Sequence, residues 1–139
     1  MDKAFAAPRV GWDAAYGDYE NDGDLDVLVT SSGASAKLFP NEGGSGNNWA
    51  TFRLVGNQSN RDGIGAKVRI RAGGVTRSSS VKSGSSDCSQ SQLALTFGLK
   101  EAPRIDSLEI LWPEGKRQVL TELPINKTVT IHEERGVIR

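Results

Sequence analysis

In residues 66–73, AKVRIRAG, apolar Ala66, Val68 and Ile70 alternate with Lys67, Arg69 and Arg71. A period of two sends neighbouring side chains to opposite faces of an extended chain, so this stretch can bury one side and solvate the other only as a β-strand. The same period recurs. TFRLVG (51–56) places Phe52 and Leu54 on one side and Arg53 on the other, and QLALTFGL (92–99) aligns Leu93, Leu95 and Phe97. IDSLEILW (105–112) reads Ile105, Leu108, Ile110 and Trp112 inward, with an irregularity near Asp106-Ser107. KTVTIHE (127–133) alternates Val129 and Ile131 with Thr and His. GKRQVLTEL (115–123) admits a short helix but serves equally well as a strand, and is read as a strand. Between these runs fall turn signals such as NRDGIG, AGG, SGSS and WPEG, and the chain holds 16 glycines with almost no 3.6-residue periodicity. The expected fold is all-β, an antiparallel sandwich or barrel-like domain.

A chain of 139 residues makes one ordinary domain, or one domain with an appended piece. The N-terminal third reads as the appended piece. LDVLVT (25–30) and AKLFP (36–40) form an expected hairpin joined by SSGAS, and NEGGSGNN (41–48) has the composition of a flexible linker. The expected division is 1–45 and 46–139, with the hairpin packed on the sandwich, since a lone hairpin is marginal in water. A formal net charge of zero points away from nucleic acid. No apolar run approaches the roughly 20 residues that span a bilayer, and MDKAFAAPRV lacks the apolar core of a signal peptide. A single cysteine, Cys88, excludes an internal disulfide. The oligomeric state is not legible.

The densest chemistry lies in GDYENDGDLDVLVT (17–30), where Asp18, Glu20, Asp22, Asp24 and Asp26 occupy every second position. Five acids within nine residues repel one another, and Gly23 sits where strands are depleted in glycine, so an acidic strand is a poor reading. A polar turn ahead of a strand accounts for one or two acids. A hard cation such as Ca²⁺, which takes six to eight oxygens, accounts for all of them, with Gly23 at the sharpest bend. Loop position 12 is Val29 rather than the bidentate Glu of an EF-hand. The register therefore assigns side-chain oxygens to Asp18, Glu20, Asp22 and Asp26, and a backbone carbonyl to Asp24.

AYGDYENDGDLDVLVT, followed by KLFPNEG, resembles the FG-GAP (VCBS-type) repeat. That resemblance implies one blade unit of an integrin-like β-propeller, whose D-x-D-x-D-G-x-x-D loop binds Ca²⁺; Glu20 stands where Asp or Asn is usual. From residue 47 onward the chain resembles the ASPIC/UnbV domain, through SNRDGIGAKV, FGL and WPEG, with Lys100 where FGL is usually followed by glycine. Such domains typically lie C-terminal to FG-GAP repeats in exported bacterial proteins and in the cartilage acidic protein. The resemblance implies a fold more than an activity.

The remaining candidates are weaker. In SNRDGIGAKV, Asn60, Arg61 and Asp62 are candidates for presenting a ligand, but the favoured reading is a turn in which Asn60 and Asp62 bond local backbone and Gly63 and Gly65 steer the chain into the strand. Trp112 reads as core, whereas Trp12 and Trp49 adjoin flexible segments and are better placed for exposed stacking. The stripe Lys67, Arg69 and Arg71 suits an acidic or sulfated polysaccharide, or simply a solvated face. His132 is the single histidine and Cys88 lies in a serine-rich stretch, so nothing assembles a nucleophilic site. The expectation is a non-catalytic, Ca²⁺-stabilised β module of an exported or cell-surface protein, acting in adhesion or in recognition of a glycan or protein. A glycan-active enzyme, or an accessory domain of one, and a purely structural spacer are the alternatives.

Overall fold

The computed structural model describes residues 11–42, 46–85 and 88–138. These residues form strands β1 (Gly11–Gly17), β2 (Asp26–Ser31), β3 (Ala34–Phe39), β4 (Asn48–Val55), β5 (Lys67–Ala72), β6 (Val75–Ser80), β7 (Leu95–Lys100), β8 (Ser107–Leu111), β9 (Arg117–Leu120), β10 (Thr128–His132) and β11 (Gly136–Ile138). No helix occurs among the described residues. Residues 1–10, and 43–45 of the expected linker, lie outside them.

Two four-stranded sheets, β11-β10-β4-β7 and β6-β5-β8-β9, supply the core, and β1-β2-β3 forms a third. The alternation read from the sequence sets the faces. β5 has Val68, Ile70 and Ala72 buried and Lys67, Arg69 and Arg71 exposed. β8 continues that inner face with Leu108 and Ile110, followed by Trp112, which is 1% exposed. From the opposite sheet Ala50, Phe52, Leu54, Phe97, Leu99, Val129 and Ile131 join the same buried cluster. Phe52 and Phe97 meet in a tilted contact with ring centroids 6.0 Å apart, within the range favoured by aromatic pairs.

Two features depart from the expected pattern. Strands β1, β6 and β11 carry no strong apolar alternation and were not expected. β6 is an edge strand with mostly exposed side chains, held to β5 by its backbone. Within the otherwise antiparallel sandwich, β10 pairs with β4 in parallel, Thr128 opposite Thr51 and His132 opposite Val55. The expected hairpin is present as β2–β3, and β1 extends it on the far side of β2.

The third sheet is bound to the sandwich through segment 88–92. The Tyr16 amide donates to Ser91 Oγ, the Gln92 amide donates to the Tyr16 carbonyl at 3.0 Å, and Ser89 Oγ donates to the Ala14 carbonyl at 2.8 Å. This segment covers the outer edge of β1, which would otherwise expose unpaired backbone.

Ile110 and Leu111 are neighbours on opposite faces, 0% and 42% exposed. Ile110→Ala is expected to lower unfolding free energy by about 2–5 kcal/mol, and Leu111→Ala by about 0.5 kcal/mol or less. Urea titration of the two variants measures the contrast.

Candidate functional site

The acid-rich loop joins the end of β1 to the start of β2, and its own carboxylates wind it. Asp18 Oδ1 accepts the Asp22 amide and Asp18 Oδ2 the Gly23 amide, both at 3.0 Å. Asp22 Oδ1 accepts the Asp24 amide at 2.9 Å. Such bonds give a turn the partners that a ladder would otherwise supply. Gly23 is required twice over. Its φ is +93°, and a Cβ there would overlap the ring of Trp49 in β4. The loop therefore sits directly on the sandwich.

Asp26, 5% exposed, closes the loop in another way. Its Oδ1 accepts the Asn41 amide at 2.8 Å and its Oδ2 the Tyr19 amide at 2.9 Å. Those two amides, Asn41 foremost, hold its carboxyl below the ordinary value against the opposing effect of burial. One carboxylate thus ties the loop's beginning to the chain that follows β3.

The five expected ligands share this loop in different roles. Asp18, Asp22 and Asp26 accept loop or flanking amides, Glu20 is exposed, and Asp24 is partly buried. Among the described residues no three His, Cys, Asp or Glu side chains gather into a group that could hold a metal ion. The oxygens fit a hard cation in kind; each Asp26 oxygen already accepts an amide. Neither ion pair among the described residues, Arg104–Asp106 or Arg117–Glu109, involves the loop. The Asp18 amide donates to Gln92 Oε1 at 3.0 Å, Gln92 Nε2 donates to Thr96 Oγ1, and that hydroxyl lies 2.8 Å from Thr51 Oγ1. A polar chain of contacts thus leads from the loop into the β4–β7 pair.

The second candidate loop, SNRDGIGAKV, is organised from beneath. Asn60 Oδ1 accepts the Ile64 amide at 2.8 Å and Asn60 Nδ2 donates to the Ile64 carbonyl at 2.7 Å, so this side chain serves the turn. Arg61 and Asp62 are exposed on it. Under the turn lies Glu133, 1% exposed. Its Oε2 accepts the Asn57 and Ser59 amides at 2.7 and 2.9 Å, and its Oε1 accepts the Ser59 hydroxyl at 2.9 Å. Burial raises this carboxyl's pKa, but the hydrogen bonds outweigh burial and leave it below the ordinary value. The residue was missed in the sequence, although a signal exists: Glu133 occupies the next inward position after Val129 and Ile131.

Other candidates resolve simply. Trp112 is core, and its Nε1 donates to Gln118 Oε1 at 2.9 Å. Trp49 is partly buried beneath the acidic loop, and the Trp12 side chain lies outside the described residues. His132 is buried, its Nδ1 accepting the Glu134 amide at 3.1 Å, and Cys88 is exposed. No helix among the described residues is long and apolar enough to cross a membrane.

The fold and its two carboxylate-organised loops define an all-β sandwich domain with an appended three-stranded sheet. Residues 56–138, more than half of the chain, match the family model described as ASPIC and UnbV, and the chain belongs to that family. The match begins at Gly56, after β4, so the first sheet lies ahead of it. No curated protein sequence matches the chain.

Asp26 and Glu133 both hold their protons less tightly when folded, so each contributes stability above its unfolded pKa, about 4, that is lost as pH falls through the folded value. Unfolding free energy from urea melts is expected to be level between about pH 5 and 7 and to drop toward pH 3. Glu133→Gln is expected to lower the plateau by about 1–3 kcal/mol and to make the acid limb shallower. An acid limb of unchanged slope in that variant would remove Glu133 as a cause.

Proposed function

We propose that this chain is a non-catalytic β module of an exported or cell-surface protein, that it acts in adhesion or in recognition of a glycan or protein, and that Ca²⁺ at the Asp18–Asp26 loop stabilises it. In this reading residues 12–45 are a single FG-GAP (VCBS-type) repeat seated on an ASPIC/UnbV sandwich. The carrying observation is a tight, acid-rich loop on Trp49 in which Asp18, Glu20 and Asp22 have no Lys or Arg ion-pair partner among the described residues. Asp18, Glu20, Asp22 and Asp26 would hold the ion with side-chain oxygens, and Asp24 with its carbonyl. When bound, Ca²⁺ supplies the positive charge that cancels the acids' mutual repulsion.

The chain's own contacts give that charge a purpose. The loop rests on Trp49 and its Asp18 amide is held by Gln92, so ordering the loop orders the first sheet on the sandwich. A ligand that binds only the folded state stabilises it by mass action. A site of about 0.1 mM affinity in about 1 mM calcium contributes about 1.4 kcal/mol, or about 5 °C for a domain of this size.

The expected result is a thermal midpoint that falls in EDTA and returns with excess Ca²⁺. In Asp22→Ala the midpoint should be lower and the same in EDTA and in Ca²⁺. The difference between the two conditions is the diagnostic quantity, because the variant also loses the bond to the Asp24 amide. Coincident melts of the unaltered protein in EDTA and Ca²⁺ would overturn the calcium reading.

A further inference from the structure

The basic stripe of β5 does not lie on an open face along its whole length. Lys67 and Arg69 enter the lining of a groove of about 990 Å³, together with Lys82, Tyr16 and the serines of β6. Arg71 is absent from that lining. The register explains the division. On the outer face of β5, Lys67 stands opposite Ser80 and Arg69 opposite Ser78, whereas Arg71 lies farther along, opposite Thr76. Ser91 and Gln92 come from the segment that binds the first sheet, Thr96 from β7 of the opposite sheet, and Tyr16 from the first sheet itself. The groove thus needs all three sheets to exist.

Its charge is one-sided. Among the described residues, one acid, Glu109, lines it. Glu109 stands across from Arg69 in the β5–β8 register, yet both its oxygens are taken by Arg117, Nε at 2.9 Å and the terminal nitrogen at 3.0 Å. Lys67, Arg69 and Lys82 form no ion pair among the described residues. Three cations face a cavity lined with hydroxyls and an exposed tyrosine, of a size near the upper end of the roughly 300–1,000 Å³ typical of ligand sites.

We propose that this groove binds an anionic oligosaccharide, with Lys67, Arg69 and Lys82 meeting its sulfate or carboxylate groups and Ser78 and Ser80 its ring hydroxyls. Cations supply the charge-assisted contacts to oxyanions, and serine hydroxyls both donate to and accept from sugar hydroxyls. A flat ring face packs on Tyr16, which is 49% exposed. Nucleic acid fits less well: the chain's net charge is zero, and Tyr16 is the lone aromatic in the lining among the described residues. The inference rests on the recognition part of the proposed function and is independent of the calcium part.

The test is isothermal titration of the full chain, at about 150 mM salt, with a heparin-derived hexasaccharide, a galacturonate hexamer, a neutral dextran oligomer and a short DNA duplex. Binding of at least one acidic sugar, with none to dextran and weaker binding to DNA, is expected. Lys67→Gln combined with Arg69→Gln should weaken it at least about tenfold, as loss of two charge-assisted contacts requires. Arg71→Gln should leave it unchanged. All these side chains are exposed, and thermal melts of each variant check that folding is retained. No binding of either acidic sugar, equal binding of the double variant, an equal loss in Arg71→Gln, or tighter binding of DNA would each overturn the proposal. Running the titrations in EDTA and in Ca²⁺ separates the two readings: sugar binding without any calcium effect on melting retains the groove and removes the ion.

Discussion

The Glu133 carboxylate can stay ionised inside the sandwich only because the chain leaving β4 bends around it and presents the Asn57 and Ser59 amides. A buried charge without such donors costs more than a domain of this size can absorb. The bend fixes the turn that carries Asn60, Arg61 and Asp62, and it leads the chain into β5. The Glu133 amide donates to the Val55 carbonyl at 2.9 Å, which holds the ends of β10 and β4 together. The Glu133 carbonyl accepts Lys116 Nζ at 2.9 Å, from the turn between β8 and β9 in the opposite sheet. One residue therefore sets the loop, the parallel pair and a link across the sandwich.

Asp26 applies the same chemistry to the first sheet, gathering the Tyr19 and Asn41 amides on one carboxylate. Gln92 joins this first sheet to the sandwich. Its amide donates to the Tyr16 carbonyl, its side-chain oxygen accepts the Asp18 amide, and its side-chain nitrogen reaches Thr96. Tyr16 lines the basic groove, while Asp18 winds the acidic loop two residues later. The acidic and basic features, far apart in sequence, thus share a hinge point of three hydrogen bonds.

What the sequence made legible follows from where apolar side chains are spent. Strands that feed the core, such as β5 with Val68 and Ile70 or β8 with Leu108 and Ile110, must alternate, and the alternation is visible. β6, reading VTRSSS, is an edge held by backbone bonds and contributes little to the core, so period two leaves no trace in it. The parallel pairing of β4 with β10 is a relation between distant segments that no local pattern encodes. In the acidic loop, spacing identified the acids and the need for Gly23. It did not separate a carboxylate facing a site from one accepting amides, because Asp18 and Asp26 look alike in a string of letters. The Trp49 ring that makes Gly23 obligatory lies in another strand altogether. The basic stripe was visible, but its division into a groove part and an open part depends on where β1, segment 88–92 and the start of β7 come to rest.

The parallel pair also governs when the molecule can form. β1, β2 and β3 contact one another within a short stretch of chain, so their sheet needs only small loop closures. β4 must wait. Its partner β10 follows the entire second sheet, and the Ser59–Glu133 contact that locks the pair closes 74 positions of chain. Contacts of such long range slow folding. On a ribosome, which releases the chain from its N-terminus, β4 emerges with both edges of its backbone unpaired, because β7 and β10 lie downstream, and with Trp49 already available to the acidic loop. The loop's partner on the sandwich, the Trp49 ring, is therefore made before either strand that will pair with β4, and the first sheet's seat precedes the sheet it is seated on.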